Sequence, residues 1–160
     1  MAQQIMGHGV VIRELPSQDA VNYRFAKHTA DLDNGQVVAL SALADGEHDI
    51  WTAETPTAGG EVWVVTGVEL QYDEKKQISD YVNEAGKPFR CERAKDMIIA
   101  ISEDALSFAT NEATDMVVGS KVTTTASTKL TLSKSATSNV CGTVIDVYTR
   151  GGINFAAIQF

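Results

Sequence analysis

The sequence predicts a mainly β protein with at most one or two short helices. Three observations lead there. No segment carries the 3.6-residue apolar period of a long amphipathic helix. Runs of β-branched and aromatic residues recur between turn signals, most clearly in EVWVVTGVELQY (61–72). After Leu106 the chain becomes rich in Thr and Val, nearly free of Glu, and cut by Gly-Ser, Ser-Asn and Gly-Gly, as short strands joined by turns require. With 160 residues, 44% of them hydrophobic, there is enough chain for one domain with a real core and an appendage.

Taken in order, residues 1–16 (MAQQIMGHGVVIRELP) have scattered apolar residues without period and end in Pro, and are expected to form an extended arm outside the core. Val21, Tyr23 and Phe25 at period two predict a short strand within 17–30. DLDNG (31–35) is a turn, with Asn34-Gly35 expected to supply the positive φ angles. QVVALSAL (36–43) reads as a buried strand. The Gly-, Thr- and acid-rich run 44–60 is expected to be a surface excursion anchored by Ile50 and Trp51. The polar segment 73–86 predicts a helical turn around Ile78–Val82, ended by Gly86. KPFRCER is an extended segment, in which Pro88 forces extension. Arg90 and Arg93 are expected to share the face opposite Cys91, with Cys91 toward the core. KDMIIAISEDAL contains another buried strand. VCGTVIDVY and INFAAIQF, joined through TRGG, read as a closing hairpin.

Charge and motifs exclude several classes of function. The net charge is −8, against the basic footprint of a nucleic-acid-binding domain. Residues 41–80 hold two basic against nine acidic residues, and residues 121–160 four against one. That split describes a solvated acidic face or a head-to-tail contact between copies. No signal-peptide pattern opens the chain and no run of 18 apolar residues occurs, so a soluble protein of a reducing compartment is expected, with no membrane partner. NEAGKP lacks both the upstream Gly and the Ser/Thr of a phosphate loop, and Pro88 has no amide to offer. DLDNG fails the calcium-loop spacing, with Gly at position 5 and Ala42 at position 12. Asp45, Glu47, His48 and Asp49 cluster, but no second set of ligands matches them. Cys91 and Cys141 are the only cysteines; a disulfide between them is possible but not implied. Cys91 reads as a small buried hydrophobe rather than a nucleophile, because His8, His28 and His48 all lie far upstream. No catalytic, cofactor-binding or metal-ligating residue is assigned, and no cofactor is expected.

One resemblance adds to this. NGQVVALSAL, then EVWVVTGVELQYDEKKQISDYVNEAGKPFRCERAKDMIIAISEDAL, then CGTVIDVYTRGGINFAAIQF together resemble the head decoration, or capsid cement, proteins of tailed bacteriophages. NEAGKPFR and ISEDAL are the most specific parts, and the likeness covers roughly residues 30–160. It implies a small, partly open, tulip-like β-barrel with an extended N-terminal arm, sitting as a homotrimer on the outer capsid surface of a virion. The partner it implies is the major capsid protein. Residues 1–29 would then be the capsid-binding arm and first strand, and 30–160 the decoration domain. The capsid contacts implied lie at Gln3, Gln4, Ile5, Met6, Val10, Val11, Ile12 and Arg13.

The function expected is thus a non-enzymatic structural protein that bridges capsomers, where many weak contacts add through multivalency. The alternatives are another virion subunit, such as a head fibre or tail component, or a small β-barrel ligand-binding module. The last would be marked by a convergent polar pocket holding a perturbed carboxylate or histidine.

Overall fold

The computed structural model describes residues 8–13, 23–67 and 80–160. Along these the strands are β1 (Val11–Arg13), β2 (Tyr23–Lys27), β3 (Val37–Leu43), β4 (Ile50–Glu54), β5 (Trp63–Val65) and β6 (Phe89–Arg93). There follow β7 (Ile98–Ser102), β8 (Leu106–Phe108), β9 (Lys121–Thr123), β10 (Leu130–Ser133), β11 (Val140–Arg150) and β12 (Ile153–Gln159). A four-residue helix, α1 (Glu112–Asp115), lies between β8 and β9, a 3-10 turn (Glu103–Ala105) follows β7, and Asp80 also has 3-10 geometry. The protein is mainly β, with 47% strand against 6% helix.

The strands make two units. A closed barrel runs in the order β2-β4-β3-β5-β6, with β6 returning to β2. Within the barrel only β2 and β4 run parallel. A curled seven-stranded sheet has the order β1-β7-β12-β11-β9-β10-β8. Two-residue alternation divides the barrel strands between two cores. Val38, Trp63, Val65, Phe89 and Cys91 pack inside the barrel with Ala26, Leu32 and Ala53. Their neighbours Val37, Val62 and Val64 face outward into a second core with Ile99, Ile101, Leu130, Leu132, Val144 and Ile158 of the sheet. Burial of each such aliphatic side chain contributes roughly 1.5–3 kcal/mol, and the shared core is what joins the two units.

One end of the barrel is plugged by amides. Asn34 and Asn83 are buried there. Asn34 accepts from the Gly67 N–H (2.9 Å) and donates to the Gly67 carbonyl (3.0 Å). Asn83 donates to the Leu32 carbonyl and to Asn34 Oδ1, each at 3.0 Å. Buried polar groups on this scale persist only when paired, and this network pairs them.

The closing hairpin forms as the sequence predicts. β11 and β12 pair antiparallel around Gly151-Gly152, whose φ angles of 61° and 79° are the positive values a type I′ turn demands at both central positions. A bulge between Val144 and Asp146 leaves Ile145 as the extra residue, exposed to solvent. α1 begins at Asn111, whose side chain accepts from the Thr114 N–H (2.9 Å) as an N-cap.

Several expectations are corrected. Residues 11–13 are not a free arm: β1 pairs antiparallel with the chain's own β7, and Val11 packs against the shared core. Gln3, Gln4, Ile5 and Met6 lie outside the described residues. β2, grouped with the arm in residues 1–29, is a stave of the barrel, so a boundary at residue 29 runs through that unit. Tyr23 and Phe25 do lie on a strand, but they are exposed and Ala26 is the buried residue; Val21 lies outside the described residues. β3 is buried only in its first half, since Ser41, Ala42 and Leu43 are exposed. The excursion at 44–60 contains the strand β4, held by β3 on one side and β2 on the other. At the DLDNG turn only Gly35 adopts positive φ. Of the expected helical turn around Ile78–Val82, Ile78 lies outside the described residues and Asp80 has 3-10 geometry. Gly86 has positive φ in a tight turn closed by Lys87 N–H to the Glu84 carbonyl, not at a helix end. Arg93 falls on the same side of β6 as Cys91, as a two-residue period requires, while Arg90 shares the other face with Glu92.

Candidate interaction surfaces

Three features bear on function, and each is built by long-range packing. The first is the edge of the seven-stranded sheet. Val10 N–H donates to Ser102 Oγ (2.8 Å) and Ser102 N–H donates to the Val10 carbonyl (2.9 Å). Strand alternation then turns the main-chain N–H and C=O of Val11 and Arg13 away from β7. Among the described residues no strand pairs with that outer side of β1. The entry to β1 is held firmly. Gly9 is buried so close to the Asn34 carbonyl and the Ala105 methyl that a side chain would collide with both. His8 Nδ1 sits 2.6 Å from Asp33 Oδ1.

The second feature is the open end of the barrel, opposite the asparagine plug. Strand β2 places Arg24 here, with its guanidinium carbon 4.1 Å from the Trp51 ring centroid and 5.0 Å from that of Trp63. Such stacking is worth about 0.5–2 kcal/mol and fixes a side chain that otherwise has many rotamers. Arg93 reaches the same mouth from β6 and pairs through Nε with Glu61 (2.5 Å). Arg24, Leu40, Glu61, Trp63 and Arg93 line a recess of about 200 Å³. Its floor is the packed barrel interior, where Cys91 is fully buried and its thiol donates to the Arg24 carbonyl (3.4 Å).

A carboxyl pair beside α1 is the third. Asn154 of β12 donates to Glu103 Oε2 (3.2 Å) and Glu112 Oε1 (3.0 Å), holding the two carboxyls together. Burial first, then the hydrogen bond and charge of Glu112, push the Glu103 carboxyl up to about 7. Glu112 is held below its ordinary value, chiefly by the hydrogen bond from Glu103. At neutral pH the pair therefore shares a proton in part. It borders an open groove of about 620 Å³ lined by Ala113, Met116 and Val147. Neighbouring Asp104 is raised mainly by burial.

The residues singled out by motif do not converge. Asp45, Glu47, His48 and Asp49 form the tip of the β3–β4 hairpin, where Glu47 pairs with Lys27 (2.7 Å). No group of three metal-ligating side chains occurs among the described residues. Cys91 and Cys141 are both free thiols. Burial pushes Cys91 up to about 12 and Cys141 to about 11, so neither carries thiolate near neutral pH. No sequence motif marks the Arg24 mouth or the Glu103–Glu112 pair. Neither has a local spacing; the only available hint is that Arg24 lies in a short strand while both tryptophans lie on others. No family model matches the chain, and no curated protein matches it.

Proposed function

We propose that this chain is a non-enzymatic structural protein that binds the outer surface of a bacteriophage capsid, bridges capsomers of the major capsid protein, and does so as a homotrimer. The observation that carries the reading is the outer side of β1. It is a short, anchored edge strand near the N-terminus, with the amides and carbonyls of Val11 and Arg13 directed away from the sheet. An edge of this kind accepts a strand of another chain through main-chain hydrogen bonds. The sequence likeness to phage head decoration proteins points the same way. Gln3, Gln4, Ile5 and Met6 would extend the contact beyond β1, and of Val10, Val11, Ile12 and Arg13 it is Val11 and Arg13 whose main-chain groups would bond the partner strand.

The test is co-sedimentation with expanded, undecorated capsids, using the intact chain and Arg13→Pro. Proline removes the outward amide of residue 13 without touching a bond to β7. The intact chain is expected to bind saturably and the variant to lose most of that binding at unchanged thermal stability. A protein that stays in the supernatant overturns the capsid assignment. Full binding by a folded Arg13→Pro overturns the role of the edge.

A further inference from the structure

We infer that the mouth of the barrel is a binding site for a single carboxylate, recognised by the guanidinium of Arg24. The site stands independently of the capsid reading. Arg24 lies over the rings of both Trp51 and Trp63, and among the described residues no acidic side chain pairs with it. Four other basic side chains, Lys27, Lys87, Arg90 and Arg93, do have an acidic partner. Stacking spends the faces of a guanidinium and leaves its N–H edge, the part whose planar fork matches a carboxylate.

The charge of the recess selects the ligand further. Two guanidinium groups and the Glu61 carboxylate leave one net positive charge in a space of about 200 Å³. A monoanion balances it, and a dianion such as phosphate leaves the mouth negative. The volume takes an acidic side chain or a small carboxylic acid, and is too small for a nucleotide. Phe89 and Cys91 are buried in the barrel core and do not line the recess. The carboxylate has two sources, a free small acid or a Glu or Asp presented by another polypeptide.

Both tryptophans of the chain lie at this mouth, so intrinsic fluorescence reports on it directly. The experiment titrates the intact protein at pH 7.5 with acetate, with a capped Gly-Glu-Gly peptide and its Gln analogue, and with inorganic phosphate, all at constant ionic strength set with chloride. A saturable change is expected with acetate or the Glu peptide, absent with the Gln peptide, and lost in Arg24→Gln. Acetate and peptide responding alike identifies a general carboxylate site. A response confined to the Glu peptide identifies an acidic chain as the occupant. Near-UV circular dichroism checks the barrel in Arg24→Gln, and Glu61→Gln provides a second variant that keeps Arg24 and is expected to bind at least as well. Absence of any saturable change overturns the inference, as does a signal that survives Arg24→Gln. Phosphate binding tighter than acetate overturns the assignment to a monoanion.

Discussion

Replacing Glu103 by Gln should change how stability depends on pH, and the sign follows from the carboxyl pair. The folded-state value of Glu103 lies near 7, above the ordinary 4.5, so the folded protein holds a proton that the unfolded chain has released. Stability is then highest below pH 4.5 as far as this group is concerned, and it is lost as pH rises through 7. A move from 4.5 to about 7 corresponds to a ceiling of about 3.4 kcal/mol, at 1.36 kcal/mol for each tenfold step. Glu103 is only partly buried, and solvent screening reduces this to roughly 1–1.5 kcal/mol. Glu112 acts with the opposite sign, since its lowered value adds stability that is lost as pH falls below 4.5. The two carboxyls therefore affect different pH windows. Gln at 103 keeps a donor toward Glu112 and cannot ionise. Urea midpoints should agree for the two proteins at pH 5, and by pH 7.5 Glu103→Gln should be the more stable by roughly 1–1.5 kcal/mol, about 3–5 °C in melting temperature. Asp104, also raised by burial, is present in both proteins and cancels in the comparison. Parallel pH profiles from 4.5 to 7.5 would refute the shared proton.

The thiols offer a second check. At pH 8 a disulfide reagent should label Cys141 slowly and Cys91 only through unfolding; a fast reaction at Cys91 in native buffer would contradict its place in the barrel core. Gly67 lies against the asparagine plug, and an added methyl would run into Asn83 Oδ1. Gly67→Ala should cost about 2–4 kcal/mol through overpacking and a broken buried amide pair, measured by urea unfolding, and a neutral effect would mean the plug yields freely.

How far the sequence led depends on whether a segment's partners are local. The β11–β12 hairpin was legible because its turn glycines and alternating strands are contiguous. The strand in KPFRCER is legible too, but its facing differs from the expected one: alternate residues share a face, so Arg93 sits with Cys91 and opposite Arg90. β4 was missed inside ADGEHDIWTAETPTAGG, because its few apolar residues give no clear alternation. It exists because β2 offers a parallel partner and β3 an antiparallel one. Tyr23 and Phe25 misled in the other direction, since two aromatics at period two look like a core face. They instead meet edge to face in solvent at 6.1 Å between ring centroids. Arg24, the residue between them, carries the inference about the barrel mouth and has no motif of its own. Its meaning comes from two tryptophans on other strands. The carboxyl pair likewise needs Asn154 from the last strand to bring Glu103 and Glu112 into register.

The location of β1 alters how the N-terminal segment must be tested. Had residues 1–16 formed a free arm, deleting them would leave the body intact, and any loss of capsid binding would belong to the arm alone. Because Val11 packs into the shared core, the same deletion removes apolar contacts and leaves β7 as the bare edge of the sheet. It also takes away Gly9 and His8, which brace the turn at Asp33 and Asn34, and through Asn34 it reaches the amide plug of the barrel. Weak binding by such a truncation would then follow from an altered body as readily as from a lost contact. A newly exposed β7 edge would even provide another surface for strand addition. A single proline at residue 13 separates these outcomes, because it changes one outward hydrogen-bond donor and leaves the bonds made by Val10 and Ile12 toward β7 in place.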